Sequence, residues 1–66
     1  MIVLSTAQAA KVINVSHMTI YRSVKNGELL AQRVGKHRSI RITIDDLREY
    51  ARKYNYSINE QLLKGD

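Results

Sequence analysis

Two runs of side chains in this sequence can do chemistry. The first is His17, Met18, Thr19, Tyr21, Arg22 and Lys25; the second is Arg33, Lys36, His37, Arg38 and Arg41. Both are rich in cations and polar hydrogen donors. Such groups make charge-assisted hydrogen bonds to phosphates, and arginine can form a two-pronged bond to a base edge. They do not assemble a catalytic set. The chain has no cysteine nucleophile. Its two histidines, His17 and His37, are far apart, and no glycine-rich phosphate loop is present. Asp45 and Asp46 are neighbours at a helix start, where capping accounts for them. A chain of this size also has little room for a closed pocket. The expectation is a binding protein rather than an enzyme, with no cofactor, metal or small-molecule ligand.

Eleven Lys+Arg against six Asp+Glu give a formal charge of +5 on 66 residues. That balance suits a polyanionic partner. It also suits a soluble basic domain whose charges are all solvated. Composition alone does not separate the two; the placement of the charges does.

The elements that must place them are legible from caps and periodicity. Ser5 and Gln8 have the spacing of a capping box, and Leu4 before the cap can staple against Ala9. A first helix is expected over Thr6 to Ile13, buried along Ala9, Ala10, Val12 and Ile13. Asn14 tolerates the left-handed conformation that stops a helix. Ser16 then caps a second helix, with Val15 placed to staple against Ile20. Gly27 stands where such a helix ends, and Lys25 suits the dipole of its last turn. Successive helical residues turn by about 100°. Ile20 and Val24 therefore share one side, with His17 and Ser23 beside them. Met18, Arg22 and Lys25 lie opposite, flanked by Tyr21 and Asn26.

Leu29 to Val34 reads as extended, and Ser39-Ile40-Arg41-Ile42 alternates, with Ile40 and Ile42 facing the core. Gly35-Lys36-His37-Arg38 between them makes a β-hairpin with a cationic tip and a loop of two to four residues. Arg33 and Arg41 are expected to extend the tip as one strip. Thr43 and Asp46 cap a third helix, in which Leu47, Tyr50, Ala51 and Tyr54 are spaced for core packing. Ser57 and Glu60 repeat the cap signal, so the tail forms a short fourth helix or frays.

These elements make one domain over residues 1–66, with a core over about 4–54 and a tail over 57–66. The domain is close to the lower size limit for a chain stabilised by its own core. With no cysteine, phenylalanine or tryptophan, that core must be thin and aliphatic, without disulfides. Met1 to Leu4 is too short for a signal peptide or a membrane span. A cytoplasmic location is expected.

The ordered set Leu4-Ser5-Thr6-Ala7-Gln8-Ala9-Ala10, Val15-Ser16, Thr19-Ile20-Tyr21-Arg22, Gly27-Glu28-Leu29, Arg33-Val34-Gly35-Lys36 and Asp46-Leu47 resembles the excisionase-type group of the MerR-like winged helix-turn-helix superfamily. The resemblance covers about residues 4 to 51. It implies a mostly α fold with a small β-hairpin (α+β), a winged helix-turn-helix that binds double-stranded DNA. It further implies that the second helix enters the major groove and the hairpin wing lies along a minor groove or its phosphates. Met18, Arg22 and Lys25 then face the groove, with His17, Thr19 and Tyr21 close by, and Lys36, His37 and Arg38 form the wing tip. Two departures stand out. The family often has proline where this chain has Leu30. Met18 is apolar, which leaves it a thymine methyl as its base contact.

Each residue also has a structural reading. Arg22 reads guanine or clamps phosphate, or else is solvated or paired with Glu28. Lys25 meets phosphate, supports the helix dipole, or does both. Tyr21 places its hydroxyl on a phosphate or in solvent. His17 bonds a phosphate or packs partly buried. Tyr50, Tyr54 and Tyr56 could stack on bases in a single-strand binder, but the spacing of Tyr50 and Tyr54 favours the core.

By resemblance the first function is that of an excisionase, or recombination directionality factor. Such proteins, phage-encoded or bacterial, bind cooperatively, bend an attachment site and assist a separate tyrosine or serine integrase. Head-to-tail self-association on DNA goes with that role. A small transcriptional regulator, repressor or activator, is the alternative within the fold. A protein-interaction module without DNA binding is the alternative from another class. No membrane partner is expected.

Overall fold

A computed structural model describes residues 2–64. The elements run β1 (Val3–Leu4), α1 (Thr6–Ile13), α2 (His17–Lys25), β2 (Gln32–Val34), β3 (Ser39–Thr43), α3 (Ile44–Tyr54) and α4 (Glu60–Lys64). This is an α+β winged helix-turn-helix: α1 and α2 are the helix pair, and the β2–β3 hairpin is the wing.

Local hydrogen bonds explain where each helix begins. Ser5 Oγ accepts from Gln8 N at 3.2 Å while Gln8 Oε1 accepts from Ser5 N at 2.9 Å, which completes the capping box. Ser16 Oγ accepts from Thr19 N at 3.2 Å, and Thr43 Oγ1 accepts from Asp46 N at 3.2 Å. Three helices end by one device. Asn14, Gly27 and Asn55 all take positive φ. The residue after each returns its N–H to a carbonyl five positions back: Val15 to Ala10 at 2.9 Å, Glu28 to Ser23 at 2.8 Å and Tyr56 to Ala51 at 2.7 Å. That closure satisfies carbonyls a helix end leaves open.

The core is aliphatic, as expected. Ile20, Leu29, Ile42 and Leu47 are its largest fully buried side chains, with Ala9, Ala10, Val12, Ile13 and Tyr50 around them. Ile42 is sealed, whereas Ile40 is half-buried at the start of the wing. Leu29 does not lie in a strand. It follows the α2 closure as a buried plug, its N–H on Ser23 O at 3.1 Å. The strand therefore begins only at Gln32.

Three further differences from the sequence expectation have local causes. The apolar start is a strand: Val3 pairs with Thr43 and Leu4 with Ile42, giving an antiparallel sheet of order β1-β3-β2. Tyr54 is 40% exposed rather than core. Its ring leans on that of Tyr50, centroids 4.9 Å apart, a tilted contact that aromatic quadrupoles favour. Ser57 does not cap the tail helix. Asn59 Oδ1 accepts from Gln61 N at 3.2 Å instead. Glu60 is drawn across to Arg48, whose two terminal nitrogens lie 2.6 and 2.9 Å from its carboxylate oxygens. The tail is docked on its own domain: Asn59 N donates to Val12 O at 2.8 Å, and Ile58 and Leu63 pack on the core. Leu62 stays exposed beside Leu4, Gln8, Lys11 and Val12. The last two tail positions, 65 and 66, and position 1 lie outside the described residues.

Burial pushes the Tyr50 hydroxyl above the ordinary tyrosine value; its bond to Ser23 lowers it, and Tyr56 and Glu28 raise it further. The folded state thus holds this proton more tightly than the unfolded chain. The resulting stabilisation is complete below about pH 10, the unfolded value, and is lost as pH rises through the folded value. Thermal melts from pH 8 to 11 should therefore show a steeper alkaline loss for the wild type than for Tyr50→Phe. Parallel curves would show that Tyr50 carries no such linkage.

Candidate nucleic-acid interface

Helix α2 has two unlike sides. Its inner side carries Ile20 and Ser23, both buried, and half-buried Val24. Its outer side carries Met18, Tyr21, Arg22 and Lys25, all exposed, with His17 exposed in the first turn. The expected wheel is the observed one, except that His17 lies in solvent rather than against the core. Thr19 is half-buried, and its hydroxyl lies 3.0 Å from Ser16 Oγ. It belongs to the cap that starts the helix.

The wing pairs Gln32 with Arg41, Arg33 with Ile40 and Val34 with Ser39. The loop between the strands is therefore the four residues from Gly35 to Arg38, the long end of the expected range. Gly35 sits at φ 77°, where only glycine is unstrained. Arg38 sits at φ 52° and donates its N–H to Gly35 O at 3.2 Å. A left-handed backbone costs a side-chain-bearing residue about 1–2 kcal/mol. Lys36 and His37 stand exposed at the tip between these two positions.

Register separates two residues that the sequence had placed in one strip. Residues directly opposite across an antiparallel pair share a face, and side chains alternate along each strand. Arg33 therefore lies on the face of Ile40 and Ile42, and Arg41 on the other face with Gln32. Both arginines are exposed, but they flank the hairpin rather than extend one edge of it. Gln32, beside Arg41, is a further exposed polar group; nothing in its sequence pattern marks it. Arg41 Nη1 also bonds Ile40 O at 3.2 Å, which holds the guanidinium along the strand.

The ion pairs among the described residues are Arg48–Glu60 and Arg52–Glu49. Both involve α3 and leave Arg22, Lys25 and every wing cation without a carboxylate partner among the described residues. Arg22 does not pair with Glu28. Like charge gathered on one helix face and one hairpin tip raises their mutual repulsion, which an anion relieves. No group of His, Asp and Glu among the described residues could hold a metal ion. No helix among them is long and apolar enough to cross a membrane.

Comparison with known proteins places this geometry in a family. A family model described as a helix-turn-helix domain matches residues 3–55. Uncharacterized proteins of two Mycobacterium tuberculosis strains and of Mycobacterium bovis are 43% identical over 47 residues, 71% of this chain. The match spans 40% of the length of each of those relatives. No solved structure matches the chain. With the helix pair, its caps and the hairpin all inside the matched span, the chain belongs to the helix-turn-helix domain family.

Proposed function

We propose that this chain is an excisionase-type protein of bacterial or phage origin. It binds double-stranded DNA with α2 in the major groove and the wing on an adjacent minor groove or its phosphates. The observation that carries this reading is the outer face of α2, where exposed Met18, Arg22 and Lys25 lie together with no carboxylate partner among the described residues. Arg22 is the base reader and Met18 the contact for a thymine methyl, while Lys25, Tyr21 and His17 take phosphates. Thr19 holds the helix start that aims them. Lys36, His37 and Arg38 grip the backbone, with Arg33 and Arg41 to either side. The protein performs no catalysis. It acts in the cytoplasm by bending a site, binding beside further copies of itself, and assisting a tyrosine or serine integrase.

The test is an excision reaction in vitro, with a tyrosine or serine integrase of the source genome and DNA bearing that enzyme's attachment sites. Product that depends on this chain supports the role; product formed equally without it refutes the role. Arg22→Ala should weaken binding by about 1–3 kcal/mol and relax preference at one or two base positions. A folded Arg22→Ala protein with unaltered binding removes α2 as reader.

Arg38 gives a second, opposite-signed prediction. Arg38→Gly removes the left-handed strain but adds unfolded-state freedom, so stability should rise by up to about 1 kcal/mol. DNA affinity should fall for all sequences alike. Denaturant unfolding and a DNA titration on the same preparation check both halves. A stabilised variant with undiminished affinity places the wing tip off the DNA.

One observation favours a transcriptional regulator as the second reading. The related proteins extend well beyond the matched span, and added chain is what a regulator uses to contact other proteins. A promoter reporter that responds to this chain without integrase would favour it.

A further inference from the structure

Ser23 is the buried polar residue of the core among the described residues, 4% exposed. It sits on the inner side of α2 and makes three connections. Its Oγ lies 2.7 Å from the Tyr50 hydroxyl of α3. Its backbone carbonyl accepts from Glu28 N at 2.8 Å and from Leu29 N at 3.1 Å, where the chain leaves α2 for the wing. The reading helix, the exit to the wing and α3 thus meet at one residue.

The other inner-face contacts of α2 are made by Ile20 and Val24. Apolar burial is non-directional; it sets how deep the helix sits but resists a small roll weakly. A hydrogen bond is directional. The Tyr50 end of this one is itself fixed, because Tyr54 leans on the ring at 4.9 Å and Tyr56 stacks at 5.8 Å. The roll matters for readout. Side-chain tips lie about 5–6 Å from a helix axis, so a 10° roll moves them by about 1 Å. A preorganised two-pronged contact tolerates about 0.5 Å, whereas a phosphate clamp on a flexible lysine absorbs more.

We infer that Tyr50, through its hydroxyl on Ser23, is a positioning residue for sequence readout. It sets the roll of α2 and the take-off of the wing without touching DNA. This rests on the reading of α2 as the base-contacting helix.

The experiment compares Tyr50→Phe, Ser23→Ala and the double variant with the wild-type chain. All are held below their melting temperatures, as checked by circular dichroism. The probes are a duplex that the wild type enriches from a randomised pool and an unrelated duplex of equal length. The readout is the ratio of the two affinities. Each single variant should lower that ratio about 5- to 10-fold, the low end of what one two-pronged base contact supplies. Binding to the unrelated duplex should stay unchanged. Stability should follow another pattern. Each single variant leaves a buried hydroxyl unpaired or a void, while the double variant removes both polar groups and regains most of the loss. A ratio that stays low in the double variant, despite recovered stability, is the positioning signature. A ratio that recovers with stability, or one unchanged in both single variants, overturns the inference while leaving α2 as reader. Should Tyr50→Phe not fold, the Ser23→Ala ratio decides on the same terms. If the wild type enriches no duplex, the parent reading fails and this inference fails with it.

Discussion

Between 50 and 200 mM salt, the affinity of this chain for duplex DNA should fall by about 250- to 1,000-fold. The cations available are Arg22 and Lys25 on α2 and Arg33, Lys36, Arg38 and Arg41 on the wing, none bound to a carboxylate among the described residues. Arg22 is assigned to a base edge, and Arg33 and Arg41, on opposite faces of the hairpin, flank the contact on either side. About five phosphate contacts remain, and with about 0.9 counterions released per contact the log–log salt slope is about −4 to −5. Fluorescence titrations of a labelled duplex at four salt concentrations measure it. Lys36→Ala should make the slope shallower by about one and weaken all sequences alike. A flat response, or tighter binding to single strands than to duplex, would falsify the docking; the first outcome would instead fit a protein-interaction module.

Ile20→Ala should cost about 2–5 kcal/mol of stability, the range for emptying a fully buried aliphatic site. Ile20 is 0% exposed and is the most deeply buried residue on the inner face of α2. A domain of this length has a total stability of about 3–10 kcal/mol, with no disulfide in reserve. The substitution should therefore leave much of the population unfolded at 37 °C, and DNA binding should fall with the folded fraction. Met18→Ala, two residues away on the outer face, should change stability by less than about 0.5 kcal/mol. Denaturant unfolding of the two variants side by side tests the two-sided helix directly. Equal losses would mean that Met18 is not the solvent-facing residue that its 46% exposure indicates.

How much of this was legible in the sequence differs from element to element. The helix pair was, to the residue: Ser5 with Gln8 and Ser16 with Thr19 act over three positions, and Asn14 and Gly27 adopt the backbone that their chemistry tolerates. The outer face of α2 was legible for the same reason, since a 100° step needs no tertiary information to sort Met18, Arg22 and Lys25 from Ile20 and Val24. The wing was legible as a hairpin but not in register. Alternation in Ser39–Ile42 shows which residues of that strand share a face; which face of the partner strand they meet depends on loop length.

The sequence by itself determined the first three helices, their N-caps, the cationic turn and the aliphatic character of the core, because each is decided by composition or by groups within about four positions of one another. Only the tertiary structure decided the β1–β3 pairing of Leu4 with Ile42, the docking of Asn59 on Val12, the Arg48–Glu60 pair and the meeting of Ser23 with Tyr50. Each of these joins groups from different elements, and a short apolar run, a lone serine or a tail asparagine carries no mark of its distant partner. Their energies also depend on burial, which exists only once the chain is closed. A hydroxyl pair such as Ser23–Tyr50 is indistinguishable from two solvated side chains until the core forms around it and makes leaving either one unpaired costly.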